Sequence, residues 1–320
     1  MRYPYLLAVG WLTGLAIPAS ALPQMPIILP ETHKFPSDLK QELQMTVDEK
    51  KITNLDISLA QLSNQPLPES LLHLSSRPSQ LPLISGHQLY YQRLASLKAG
   101  HIYTRLDGIS SQSLRNSAKK PQLTYEDWKN LLALEAKAIS QGQGESYLGI
   151  LVGDSLSMWF PREKLPTGKL WLNQGISGDT SGGIFRRLRA FSATRPNVIY
   201  IMAGINDLRN GDSNAEILRN HRRIIRRLRQ SHPNTQIIVQ SILPTRLASI
   251  PNSRIVQINT ELALIAEEEK ADYLNIYPWF TDFEGNLRSE LTTDGLHLSQ
   301  DGYDVWRSAL QQIEVTQSHN

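Results

Sequence analysis

The stretch Tyr147-Leu148-Gly149-Ile150-Leu151-Val152-Gly153-Asp154-Ser155-Leu156 decides the fold of this chain. It is a largely apolar run of strand length closed by a turn of small residues. Such a run, apolar on both faces and bounded by turn signals, predicts a strand buried in a parallel sheet. A buried strand that stops in a tight turn presents its next side chain at the sheet's rim, where ligands of open α/β sheets bind. Ser155 is that side chain. The tripeptide alone carries little, because Gly, Asp and Ser also build ordinary turns. Gly211-Asp212-Ser213 repeats it inside Asn210-Gly211-Asp212-Ser213-Asn214, where no apolar strand precedes it, and reads as a polar loop.

From Tyr147 onward strands alternate with helices, which implies an α/β fold with a parallel sheet covered on both faces. The predicted strands are Tyr147 to Val152, Lys169 to Asn173, Val198 to Met202, Gln236 to Ile242 and Tyr273 to Tyr277. Helices are predicted over Ile184 to Phe191, Ala215 to Gln230, Ser253 to Glu269 and Gln300 to Ile313. Residues 146–320 thus form one domain around a five-stranded sheet.

The rest of the chain reads differently. Arg2, the apolar run Tyr5 to Pro18 and Ala19-Ser20-Ala21 read as a signal peptide over residues 1–21, too short for a comfortable span of about 20 apolar residues. The expectation is a secreted or periplasmic protein; the alternative is an uncleaved N-terminal anchor. Residues 22–85 are rich in Pro, Ser and Leu and read as a loosely ordered extension, with a short helix at Ser37 to Asp48. Residues 86–145 form a helical segment. Leu89, Tyr90, Arg93, Leu94 and Leu97 recur at helical spacing before Gly100, and Thr124-Tyr125-Glu126-Asp127 opens a second helix carrying Trp128, Leu131 and Leu132. These helices are expected to pad the outside of the next domain.

Composition removes several classes of chemistry. There are 320 residues, a net charge of +3 and no cysteine, so any nucleophile is an oxygen or a nitrogen, and disulfides and thiolate metal sites are excluded. Neither paired histidines at ligand spacing nor an acidic calcium loop is present, so no metal is implied. No nucleotide fingerprint occurs, and no cofactor is implied.

In a doubly wound sheet, the residues just after the strands converge on one rim. After the second strand comes Asn173-Gln174-Gly175-Ile176-Ser177-Gly178-Asp179-Thr180-Ser181, which is either a flexible capped loop or a place where the Gly178 N–H can approach a developing oxyanion. After the third comes Ala203-Gly204-Ile205-Asn206-Asp207. Asp207 reads as a helix cap, whereas the Asn206 amide can donate to an oxyanion, which a carboxylate cannot do. Before the last helix comes Thr292-Thr293-Asp294-Gly295-Leu296-His297. Of the eight histidines only His297 has an acidic residue three positions before it. On a single turn those two side chains share a face, so Asp294 can fix the imidazole tautomer that takes a serine proton. A lone Asp-x-x-His is equally a surface pair.

Read in order, Gly153-Asp154-Ser155-Leu156, Gly178, Gly204-Ile205-Asn206-Asp207 and Asp294-Gly295-Leu296-His297 resemble the four blocks of the SGNH, or GDSL, hydrolase superfamily. The loop Ile176 to Ser181 is similar to that of its lysophospholipase and thioesterase branch, and Trp171 to Ile176 resembles secreted cyanobacterial members. The resemblance spans Tyr147 to Glu314 and shows no departure at any block residue. It implies a flavodoxin-like three-layer α/β/α sandwich, with Ser155 as nucleophile, His297 as general base and then acid, and Asp294 as orienting carboxylate. The Ser155 and Gly178 N–H groups and the Asn206 side chain would form the oxyanion hole, supported by Asp154, Gly204 and Asp207. The activity so implied is hydrolysis of carboxylic esters on a small-molecule, lipid or glycan substrate. The alternatives are a carbohydrate O-acetyl esterase and a non-catalytic glycan-binding module on the same fold.

Two further features are weighed against this. The segment Leu218 to Gln230 carries Arg219, Arg222, Arg223, Arg226, Arg227 and Arg229, but Ile217, His221, Ile224, Ile225 and Leu228 form its apolar stripe. The arginines then lie on a solvated face, which argues against nucleic acid and leaves room for weak membrane-surface contact. Pro244 to Pro251, after the fourth strand, reads either as a wall of the substrate pocket or as a connector. Oligomeric state is not legible.

Overall fold

In a computed structural model, residues 85–103 and 122–317 are described, the side chains as far as Ile313. The predicted signal peptide, the helix at Ser37 to Asp48 and almost all of the 22–85 extension lie outside the described residues. Strands β1 (Leu148–Gly153), β2 (Leu170–Gly175), β3 (Val198–Met202), β4 (Gln236–Gln240) and β5 (Asp272–Leu274) form one sheet in the order β2-β1-β3-β4-β5. Every pairing is parallel. This is the flavodoxin-like order, and it reverses direction at β1, where such sheets bind their ligands. The register aligns the ends of three strands, with Gly153 opposite both Gly175 and Met202.

All six residues of β1 are buried, which explains its unbroken apolar run. Alternate side chains enter opposite cores. Ile150 and Val152 join Ile199, Ile201, Ile237 and Val239 on one face; Leu151 joins Tyr200, Met202 and Ile238 on the other. The first face is covered by α2 (Tyr125–Gly142), α4 (Ser181–Arg187), α6 (Asn214–Ser231) and α7 (Asn252–Glu268). The second is covered by α3 (Ser155–Met158), α8 (Tyr277–Phe280) and α9 (Gln300–Gln317), the last supplying Val305, Trp306 and Leu310. A buried side chain of this size contributes about 1.5–3 kcal/mol, so the two cores dominate the stability. Among the described residues no helix is long and apolar enough to cross a membrane.

The helices before β1 go beyond padding. A capping box starts α1 (Gly86–Lys98) at Ser85 and Gln88, and another starts α2 at Thr124 and Asp127. Leu89 of α1 and Trp128, Leu131 and Leu132 of α2 form a third core with Met158, the last residue of α3, and Ile176, the residue after β2. On α6 the expected stripe of Ile217, His221, Ile224, Ile225 and Leu228 is buried. The arginines opposite are not merely solvated: Arg222 and Arg226 pair with Glu269 just past α7, and the Arg223 guanidinium sits 3.9 Å from the centre of the Phe185 ring.

Candidate active site

Ser155 is the first residue of α3, a single helical turn capped by Asp154, whose Oδ1 accepts the Leu156 N–H at 3.0 Å. The turn is pressed against the end of β2. A Cβ on Gly175 would fall 2.8 Å from the Asp154 carbonyl oxygen and from Met158 Cα, so only glycine allows this approach. Ser155 is buried to 4% exposure, yet its Oγ lies 3.2 Å from His297 Nε2.

His297 Nδ1 lies 2.7 Å from Asp294 Oδ2, and Asp294 Oδ1 accepts the main-chain N–H groups of Leu296 (3.0 Å) and His297 (2.7 Å). Partial burial acts to raise the Asp294 carboxyl, but the bonds from the His297 ring and these two N–H groups outweigh it and hold the group below its ordinary value. A charged Asp294 keeps the proton on Nδ1 and leaves Nε2 to accept the Ser155 hydroxyl. The expected single turn is present, and it is not helical. Residues 292–298 form a tight loop closed by an antiparallel bridge between Thr292 and Leu298, with Gly295 at φ 85°. The Asp294 carboxylate folds back onto the N–H groups two and three residues ahead, and this sets the i, i+3 contact without a helix. The side chains of His297 and Asp294 are 35% and 53% exposed, so this end of the site is open to water.

The segment after β2 turns at Gly178, whose φ of 77° suits glycine and whose missing Cβ would meet open space. Thr180 then caps α4 by accepting the Gly183 N–H. Asn206 lies in the first turn of α5 (Ile205–Asn210), which follows Gly204 at φ 123°. Its Nδ2 donates to the Asp179 carbonyl at 3.0 Å and its Oδ1 accepts from Arg209 Nη1 at 3.2 Å. Asp207 faces the other way and accepts both the N–H (2.8 Å) and the hydroxyl of Ser181, which locks the start of α4 to α5. The structure therefore brings Ser155, His297 and Asp294 into one line, and Gly178 and Asn206 onto neighbouring segments joined through Asp179. Gly211-Asp212-Ser213 instead links α5 to α6, with Ser213 capping the latter.

The segment after β4 supports the Asp294 loop: the Arg246 N–H and the Thr245 hydroxyl both donate to the Gly295 carbonyl, at 2.8 and 2.9 Å. Arg246 also lines an open cavity of about 560 Å³ with Trp279, Phe283 and Arg288. Among the described residues no group of His, Asp and Glu is placed to hold a metal ion.

Several buried residues around the site have polar partners that the sequence did not indicate. Arg93 of α1 pairs with Glu135 of α2 in full burial and donates to the Asn173 carbonyl at 2.7 Å. Arg187 of α4 pairs with Asp179. His221 donates from Nε2 to the Ala203 carbonyl at 3.1 Å, and burial, only partly offset by that bond, pushes its pKa down to about 4, so the ring is neutral. The available signal was a charged residue on an apolar stripe: Arg93 among Leu89, Leu94 and Leu97, and Arg187 between Ile184 and Leu188.

The model of the GDSL-like lipase/acylhydrolase family matches residues 139–305, just over half of the chain. This chain belongs to that family. The match opens inside α2 and ends in α9, so it takes in the whole sheet and every residue of the site. Among curated relatives, the N-acylneuraminate cytidylyltransferase of Streptococcus agalactiae serotype III (strain NEM316) is 26% identical over 162 residues, 51% of this chain and 37% of the relative. The serotype Ia and V proteins match equally. The GDSL-family chain thus spans little more than a third of the length of these relatives. Among solved structures, a Streptococcus pneumonia protein provisionally assigned as a platelet activating factor has a TM-score of 0.53 and 25% identity, covering 59% of this chain and 93% of its own. A GDSL-like lipase from Bacteroides thetaiotaomicron VPI-5482 has a TM-score of 0.50 at 20% identity, covering 58% of this chain and 96% of its own, and shares the fold.

Proposed function

We propose that the protein is a serine carboxylic ester hydrolase. The observation that carries the reading is the line Ser155 Oγ, His297 Nε2 and Asp294 Oδ2, with links of 3.2 and 2.7 Å through the ring. In the proposed reaction His297 Nε2 takes the Ser155 proton while Oγ attacks the ester carbonyl. The resulting oxyanion is held by the N–H groups of Ser155 and Gly178 and by the Asn206 N–H that is not bonded to Asp179. Collapse breaks the ester C–O bond, and the alcohol leaves with the proton from His297. Water, deprotonated by the same ring, then attacks the acyl-serine; the C–Oγ bond breaks, the acid leaves, and the ring returns the proton to Ser155 Oγ. Asp294 stays ionised throughout and stabilises the imidazolium.

A fluorophosphonate probe should label the wild-type protein and not Ser155→Ala. Asn206→Ala should lower turnover of a short-chain nitrophenyl ester by about a hundredfold or more, since an oxyanion donor is worth roughly 3–4 kcal/mol. Wild-type rates in both variants would sink the proposal.

Acyl esters of small molecules or lipids are the first substrate class. A second reading, removal of O-acetyl groups from glycans, is supported only as far as the substrate's carbohydrate class by relatives whose name refers to a sugar acid. The exposed His297–Asp294 end also suits a bulky alcohol portion. A panel of acyl chain lengths run beside acetylated glycans separates the two. Export across a membrane belongs to the same proposal and is supported by the signal-like residues 1–21. N-terminal sequencing of protein recovered outside the cytosol tests it, with Leu22 as the expected first residue.

A further inference from the structure

A single buried guanidinium touches the segments that lead to two of the proposed oxyanion donors and reaches the third, Asn206, through Asp179. Arg187, only 5% exposed, donates from Nη2 to the Gly153 carbonyl at 2.8 Å, from Nη1 to the Gln174 carbonyl at 2.6 Å and from Nε to Asp179 Oδ2 at 2.6 Å. Gly153 leads into the Ser155 turn. Gln174 leads into the Gly178 loop, and Asp179 closes that loop with the main-chain carbonyl that holds the Asn206 amide. Asp179 is itself buried, and its other carboxylate oxygen accepts the Tyr125 hydroxyl at 3.3 Å.

We propose that Arg187 is a positioning residue of the oxyanion site, a rigid three-way clamp that fixes the ends of β1 and β2 against the Asp179 carboxylate and so holds the residue whose main-chain carbonyl aims the Asn206 amide. This rests on the hydrolase reading above. The planar fork of arginine can satisfy two carbonyls and a carboxylate in different directions at once. A lysine ammonium in the same place keeps the charge beside Asp179 but is a point donor on a flexible stem, so it cannot hold all three in one geometry. Oxyanion donors act only when preorganised, and misplacement by a fraction of an ångström to an ångström is costly in rate. The clamp reaches no substrate atom, so its loss should appear in kcat and not in KM.

The test uses the full chain, with active sites counted by fluorophosphonate occupancy and turnover of a nitrophenyl ester measured well below each variant's melting temperature. Arg187→Lys should lose about ten- to a hundredfold in kcat per titrated site, with KM within about twofold of wild type. In an Asn206→Ala background the same exchange should cost little more, because both changes remove one function. Should Arg187→Lys fail to fold, the paired exchange Asp179→Asn with Arg187→Gln leaves no unpaired buried charge and gives the same reading. A folded variant with wild-type kcat per site overturns the proposal, as does a loss fully additive with Asn206→Ala. Failure of both forms to fold makes Arg187 a folding residue and overturns it as well. Failure of the wild type to label at Ser155 instead overturns the hydrolase reading, before any arginine variant is compared.

Discussion

Asp154 stands one residue before Ser155 and is 1% exposed. Burial is the main influence on its carboxyl. Together with the repulsion of Asp179 and Asp207, it outweighs the Leu156 N–H and the attraction of His297, and pushes the pKa up to about 7. Its Oδ2 meets no protein partner among the described residues. A carboxyl raised above its unfolded value of 3.8 adds stability that is complete below that value and is lost as pH rises through about 7. His221 slopes the other way: its contribution is complete above the unfolded value of 6.5 and is lost as pH falls through about 4. Between about 4 and 6.5 the two oppose each other. Asp154→Asn keeps an acceptor for the Leu156 N–H and cannot ionise. Melting temperatures across pH 4 to 8 should therefore rise more steeply toward neutral pH in Asp154→Asn than in wild type. Parallel curves would show that Asp154 ionises in the folded protein as it does in the unfolded chain.

At the scale of elements, α1 and α2 are joined by charge as well as by apolar contact. Arg93 and Glu135 are each 2% exposed at the side chain, and the guanidinium also holds the Asn173 carbonyl at the end of β2. The Asn173 side chain in turn donates to the Ser157 carbonyl at 2.6 Å and accepts the Gly175 N–H at 2.9 Å. Breaking one partner of a buried pair strands the other charge, so Glu135→Gln should cost about 3–5 kcal/mol in a denaturant titration. A loss below about 1 kcal/mol would mean that water reaches the pair. The ion pairs between α6 and the end of α7 differ in kind. Arg226 is 60% exposed at its side chain, and such pairs contribute about 0–1 kcal/mol. They nonetheless neutralise part of the basic face that the sequence displays on α6.

At the scale of the molecule, the family match opens at residue 139, while the third core and the Arg93 contact come from residues before it. A chain beginning at residue 139 loses α1 and most of α2. It exposes Met158 and Ile176, which flank the site, and leaves the Asn173 carbonyl without its guanidinium. Such a chain should melt well below the full protein and bind a hydrophobic dye, as measured by thermal circular dichroism and dye fluorescence. A truncated chain with an unchanged melting temperature would show that the helices only decorate the domain.

The sequence by itself determined the alternation of β1 to β5 with helices, the cap box at Thr124, and the rim position of Ser155, Gly178 and Asn206. Each of these rests on local information: runs of apolar residues, turn chemistry and spacing along one chain. Tertiary structure decided what required segments distant in sequence. It built the Asp294–His297 contact on a bridged loop, gave the loop after β4 its place behind Gly295, and buried Arg93 and Arg187 against strand-end carbonyls. A charge on an apolar stripe is legible, but its partner is not, because the carbonyls that stabilise a buried guanidinium come together only when the sheet has formed.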